Sequence, residues 1–161
     1  MQPLQMIDHS ALRTNQAVII SLLVLGFILN LPWLAAATGA VMLVGSTLRR
    51  PGFGWLYQAV LRPLKIARPD PLLDNRQPHV FAQTFGGLVL AAAGLCFLAG
   101  AATAGWALAW LVVALAALNL FAGFCAGCAV YYWLNRLKVP GFSQSPPPGV
   151  FPGLRPRSEQ S

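Results

Sequence analysis

TNQAVIISLLVLGFILNLPWLAAATGAVMLVGSTL, residues 14–48, contains no Asp, Glu, Lys or Arg. Such a stretch suits hydrocarbon, where a helix satisfies its own backbone and side chains need no water. It is too long for one span and too apolar for a solvated loop. Asn30-Leu31-Pro32 divides it, because Pro32 lacks a backbone donor and disfavours helical geometry at Leu31. Two spans are therefore expected, about 14–30 and 33–48. Each has roughly 17 residues, near the lower limit for crossing a bilayer. The competing reading is one longer helix kinked at Pro32.

A second charge-free stretch runs from Gln77 to Asn135 and predicts spans at about 80–102 and 105–134. The "ATAG" joining them (residues 102–105) is so short that they must be antiparallel neighbours. Composition agrees, with 57% hydrophobic and 9% charged residues. A soluble domain carries roughly 25% charged residues. The predicted fold class is all-α, an integral membrane four-helix transmembrane bundle, with no cleavable signal peptide expected.

The net charge of +7 does not point to nucleic acid, because the basic residues flank the apolar spans. Arg49, Arg50, Arg62, Lys65, Arg68 and Arg76 lie between spans two and three. Arg13 precedes span one, and Arg136, Lys138, Arg155 and Arg157 follow span four. With four spans all of them fall on one side, which is the cytoplasmic side by the positive-inside rule. The expected location is the bacterial inner membrane, multi-pass, with both termini cytoplasmic. Residues 1–138 form the expected transmembrane domain.

Within the basic loop, Phe53, Leu56, Tyr57, Val60, Leu61 and Leu64 recur at helical spacing, and Pro63 stops the pattern. This predicts an amphipathic helix over about 53–62, lying in the interface or against a partner subunit. The Pro-rich tail, 139–161, lacks apolar periodicity and is expected to be disordered.

"FCAGCAVYY", residues 124–132, places Cys125 and Cys128 on one face of span four, with Tyr132 a turn beyond. Cys128 precedes Arg136 by eight residues, about 12 Å along a helix, so both thiols belong to the cytoplasmic half. Cys96 belongs toward the opposite face. A vicinal dithiol can cycle to a disulfide, although mid-helix geometry would strain it. A thiolate can carry sulfane sulfur, or the pair can join His79 in holding a metal. The bland alternative is packing: cysteine is a small buried residue, and Gly123 and Gly127 form a Gly-x-x-x-Gly pair. Asn15, Gln16 and Gln83 lie at a similar depth and Asn119 deeper, so a polar pocket is expected around the thiols. No acid–base pair, phosphate loop or Ser–His–Asp set is present to indicate a hydrolase or a nucleotide enzyme.

Four stretches carry a resemblance: "DHSALRTNQ" (Asp8, Arg13, Asn15), "RRPGFGWLY" with "LRP" (Pro51, Leu56, Tyr57, Pro63), "PHVFAQ" (Pro78, Phe81, Ala82, Gln83) and "LNLFAGFCAGCAVY" (Asn119, Phe124, Cys125, Gly127, Cys128, Tyr131). Together they make residues 6–135 similar to an uncharacterised bacterial integral-membrane family, domain of unknown function 4395. Where that family's pattern often has a basic residue before Phe-Ala-Gln, this chain has Val80. The resemblance implies four spans and a thioredoxin-like or rhodanese-like partner, and it assigns no activity.

The leading expectation is a thiol-redox or sulfur-relay protein with Cys128 attacking, Cys125 resolving, and His79 and Gln83 lining the site. Asn15, Asn119 and Tyr132 complete the expected pocket. No cofactor is required by the sequence, a quinone or a metal staying open, and no metal ligand set is assigned. The competing expectation is a non-catalytic accessory subunit of a larger membrane electron-transfer complex, docking through the basic loop.

Overall fold

Asn30 and Pro32 make the turn that their chemistry requires. Helix α1 (His9–Ile28) ends just before Asn30, which takes a left-handed φ of 51°, and Pro32 opens helix α2 (Pro32–Thr47). The computed structural model describes residues 4–65 and 68–156. Helix α1 begins five residues earlier than the apolar pattern predicts, because Asp8 caps it by accepting a hydrogen bond from Ser10 N. A short turn, α3 (Gly54–Leu56), continues into a π-helical turn, Tyr57–Leu61. Helices α4 (Arg76–Leu98), α5 (Ala102–Ala122) and α6 (Ala126–Arg136) follow.

The four long helices close a ring in which α1 packs on α2, α2 on α4, α4 on α5 and α5 on α1. Ile19, Leu23, Met42, Leu90, Ala109 and Val112 fill its centre. Small residues set the closest approach. A methyl on Gly39 would lie 2.8 Å from Leu90 Cβ, and one on Gly87 would lie 2.8 Å from Leu43 Cγ. Such seams hold helices together where burial from water gives little drive. Helices α1, α4 and α5 are long and apolar enough to cross a membrane, and α2, at 16 residues, is a shorter apolar helix.

Four expectations change. The predicted fourth span, 105–134, is two helices broken at Gly123–Cys125. Gly123 takes φ 64°, the left-handed conformation that ends a helix and that glycine adopts at no steric cost. Gly127 instead lets α6 approach α4, since a methyl there would lie 2.6 Å from Ala82 Cβ. The Gly-x-x-x-Gly pair is thus a helix stop followed by a contact, and not one seam.

The fold is also not purely helical. Strands β1 (Gln5–Asp8) and β2 (Pro71–Asp74) form an antiparallel ribbon pairing Gln5 with Asp74 and Asp8 with Pro71. The expected interfacial helix is shorter and divided. Phe53 and Tyr57 are buried, whereas Trp55, Val60 and Leu64 are exposed.

Finally, the chain beyond Lys138 folds back instead of trailing away. Phe142 stacks edge-on against Tyr131 and Phe81, with ring centroids at 5.0 and 5.5 Å. Further on, Phe124 and Leu154 form an isolated antiparallel bridge. The local pattern gave no hint of this because the contacts are made one residue at a time. The last part of the expected disordered tail, residues 157–161, lies outside the described residues.

Candidate functional site

Breaking the helix at Gly123 moves the cysteines from mid-helix to a helix start. Cys125 is the N-cap of α6, with extended backbone, and its Sγ accepts a hydrogen bond from Cys128 N at 3.2 Å. An N-terminus concentrates unpaired N–H groups and the positive end of the helix dipole, which favour a thiolate there. The two cysteines are joined as a disulfide. Both are buried, and Cys96, in the last turn of α4, is a free thiol.

The first turn of α4 brings His79 to the pair, with Nδ1 3.5 Å from Cys128 Sγ. Its other nitrogen, Nε2, lies 2.9 Å from Asp74 Oδ2. A carboxylate only accepts, so Nε2–H donates to Asp74 and Nδ1 is the nitrogen that faces the sulfur. Burial alone would raise the Asp74 carboxyl. The imidazoles of His79 and His9, with the Asn75 N–H, outweigh that and hold it well below the usual carboxylate range. His9 Nε2 approaches the same oxygen at 3.2 Å without hydrogen-bond alignment.

The ribbon explains this convergence. Strand β2 ends at Asp74, opposite Gln5 in the register, while His9, the first residue of α1, lies at the Pro71 end of the ribbon and reaches the Asp74 carboxylate through its side chain. Asp8 Oδ1 accepts from Asp70 N, and His9 N donates to Asp70 O at 2.9 Å, so the two chain segments are tied together.

The C-terminal segment closes over the pair. Cys125 N donates to Gly153 O at 2.8 Å, and Arg155 N donates to Gly123 O at 3.0 Å. Arg155 forms an ion pair with Asp70. Behind this strap is a polar cavity of about 650 Å³ whose walls include both cysteines, His9, His79, Arg13 and Arg155. Burial, with Arg13 nearby, lowers the Arg155 guanidinium.

The expected site residues separate into two groups. Cys125, Cys128, His79 and Tyr132 meet around the polar cavity, and Asn119 reaches it from the end of α5. Tyr132 hydroxyl accepts from Asn75 Nδ2 at 3.2 Å, and burial pushes its phenol up to about 12, so it remains neutral. Asn15 and Gln83 hold the loop before α3. Asn15 Oδ1 accepts from Phe53 N at 2.8 Å. Gln83 Nε2 donates to Met42 O and Arg50 O, and Gln83 Oε1 accepts from Gly52 N. Both amides still border a second, apolar cavity on the far side of Cys125.

His9, Asp74 and Gly153 were missed by the sequence reading. Asp74 is five residues before His79, a spacing that brings no contact on a helix but does so across a strand-to-helix junction. Donor atoms of His79, Cys125 and Cys128, and of His9, Asp74 and His79, lie within 4.8 Å of one another. A metal at the first set would need the sulfurs as thiolates, and the disulfide ties up both, whereas the second set, two imidazoles and a carboxylate, needs neither sulfur.

The family model described as Domain of unknown function (DUF4395) matches residues 7–136. The chain belongs to this family. Its matched span ends with α6, so the strap over the cysteines lies beyond it. No curated protein and no solved structure matches the chain.

Proposed function

We propose that this is a four-span membrane protein whose Cys125–Cys128 pair performs thiol–disulfide exchange. One observation carries the reading: Cys125 caps a helix N-terminus while Cys128 sits against a histidine oriented by a buried aspartate. The first arrangement lowers the cost of a thiolate, and the second provides a base for the other thiol. A packing role for two small buried residues requires neither.

In the reduced state Cys125 Sγ is the attacking thiolate. It displaces one sulfur of a partner disulfide and forms a mixed disulfide. His79 Nδ1 then takes the Cys128 proton, and Cys128 Sγ attacks Cys125 Sγ, releasing the partner as a dithiol. Electrons balance, because the pair loses the two that the partner gains. The roles expected from depth, with Cys128 attacking, are thereby reversed. Transfer of a sulfane sulfur through Cys125 is the variant of the same chemistry that a rhodanese-like partner would require.

Helix α2 supports four spans over three because it runs antiparallel to α4, with Gly39 beside Leu90 and Gly45 beside Gln83, and returns from α1 through a three-residue turn. With four spans, the start of α1, the end of α2, the start of α4 and the end of α5 share one side with the basic residues. That side is the cytoplasm of a bacterial inner membrane, and the site opens toward a cytoplasmic thioredoxin-like partner. The exposed Trp55, Val60 and Leu64 favour one other reading, an accessory subunit docking by this loop in a larger electron-transfer complex.

The test is equilibration of the purified protein with glutathione redox buffers. The wild-type pair should interconvert between dithiol and disulfide, and Cys128→Ser should accumulate a glutathione mixed disulfide at Cys125. An inert pair, or a Cys125→Ala, Cys128→Ala protein that keeps its cellular function, would decide for packing.

A further inference from the structure

Cys125 and His79 stand in the wall between two chambers. One is the polar cavity under the strap. The other measures about 260 Å³ and is enclosed by Ile19, Met42, Val89 and Val112, one from each long helix. Gln16 and Asn119 line both chambers beside Cys125.

A void among apolar side chains can be loose packing, but this one has features that packing does not call for. The Gln16 and Asn119 amides, half-buried within α1 and α5, have no hydrogen-bond partner among the described residues. Both amides also line the polar cavity, so they stand at the boundary between the chambers with donors free to meet a ligand carbonyl on the apolar side. The chamber also reaches the outer surface of the bundle. Phe85 on α4 and Val130 on α6 border it while exposing 51% and 50% of their surface. Its volume is below the roughly 300 Å³ at which pockets begin to enclose whole drug-sized ligands, but adequate for one ring whose tail leaves between helices.

We propose that this chamber binds the head ring of a membrane quinone, and that the quinone oxidises the Cys125–Cys128 dithiol. The inference rests on the thiol-exchange reading and names the electron acceptor for that same site. Gln16 and Asn119 donate to ring carbonyls, which orients the ring against Cys125. The Cys128 S–H bond breaks, the S–S bond forms, and two O–H bonds form on the ring, one with the Cys128 proton and one with a proton from water in the polar cavity, giving disulfide and quinol. His79 carries the Cys128 proton, and the polar cavity is the route by which a thiol partner reaches the other side of the same sulfurs. Thiol–disulfide exchange is reversible, and here it runs in the opposite sense: a partner dithiol reduces the Cys125–Cys128 disulfide and leaves as a disulfide, so reducing equivalents enter from water and leave into lipid.

The experiment uses the full chain in lipid nanodiscs, reduced, freed of reductant and kept anaerobic. Decylubiquinone and menadione are the probes, with quinol and remaining thiol as the readouts and glutathione disulfide as a parallel oxidant. One quinol should appear per dithiol oxidised. Val130→Trp at the mouth and Asn119→Leu at the ring should each lower the ratio of quinone-driven to glutathione-driven oxidation about tenfold. If the pair exchanges with glutathione but reduces neither quinone, or if both variants keep the wild-type ratio, the quinone assignment fails and thiol exchange stands. If the pair reacts with neither oxidant, the thiol-exchange reading falls as well.

Discussion

Replacing Gly153 by valine should unlatch the strap and expose Cys125. Gly153 has φ 89°, and a methyl built there would lie 2.8 Å from Ala129 Cβ and 2.9 Å from the Cys125 carbonyl oxygen. The left-handed backbone costs an L-residue about 1–2 kcal/mol. The two clashes involve a carbonyl and a helix Cβ, which cannot rotate away, and overpacking of this kind costs about 1–3 kcal/mol. Against this, the strap is held by the Cys125–Gly153 and Arg155–Gly123 backbone bonds and by the Arg155–Asp70 pair. Two hydrogen bonds at about 1 kcal/mol each, plus a partly exposed ion pair at roughly 0–1 kcal/mol, come to about 2–3 kcal/mol. The perturbation is as large as the force that closes the strap, so the variant should be open about half the time. Wild type at that closing energy is open roughly one part in thirty or less, from tenfold per 1.4 kcal/mol. Alkylation of reduced Cys125 by iodoacetamide, followed by mass spectrometry, should accelerate about fifteenfold or more, with Cys96 as an internal control. Unchanged labelling at Cys125 with an intact fold would refute the strap as a cover.

The remaining predictions address charge, topology and the loop. Asp74 is depressed in the fold, so its contribution to stability is complete above about pH 4, the ordinary carboxylate value, and is lost as pH falls toward the folded one. Asp74→Asn should therefore melt lower at pH 7 and show a flatter loss of stability below pH 4, and an unchanged acid limb would count against the buried pair. Reporter fusions at residue 77 and after the last residue should both read cytoplasmic, and an insertion at Thr103 should read external. An external signal near Arg62 would defeat the four-span arrangement. Leu56→Glu should weaken membrane retention of the loop or its partner contact, by roughly the 1.5–3 kcal/mol of a buried apolar side chain. Gln58→Glu, on an exposed position, should be mild, and equal effects would remove the amphipathic assignment.

The helices were legible because three of them are long and apolar enough to cross a membrane, a composition that shows in every residue. Charge-free stretches and Pro32 located the first two helices to within a few positions. The site was legible only in its residue types. Cys125, Cys128, His79 and Asn119 carried a signal, because polar and thiol groups are rare at such depth. Their geometry was hidden by one ambiguity. A glycine in an apolar run can be a helix seam or a helix stop, and the local pattern around Gly123 fits both. The difference is tertiary. Residues 153–155 bond with both Gly123 and Cys125, so a segment some thirty positions away holds the break.

That ambiguity also decides the chemistry. On an uninterrupted helix, Cys125 Sγ would face a backbone whose N–H groups are already spent on carbonyls one turn earlier. Once Gly123 ends α5, the first turn of α6 has N–H groups to offer, and Cys128 N points at Cys125 Sγ. The same break tilts α6 onto α4 through Gly127 and Ala82, which brings Cys128 level with His79. Asp74 then holds the imidazole from the strand end two residues before α4, where its pairing with Gln5 anchors it. Three sequence features that look unrelated, a glycine, a four-residue strand and a Pro-rich tail, thus converge on the two cysteines and give them different surroundings. On the proposed thiol-exchange reading one sulfur is the attacking thiolate and the other is served by a base, and only such an asymmetric pair forms and then resolves a mixed disulfide in a fixed order.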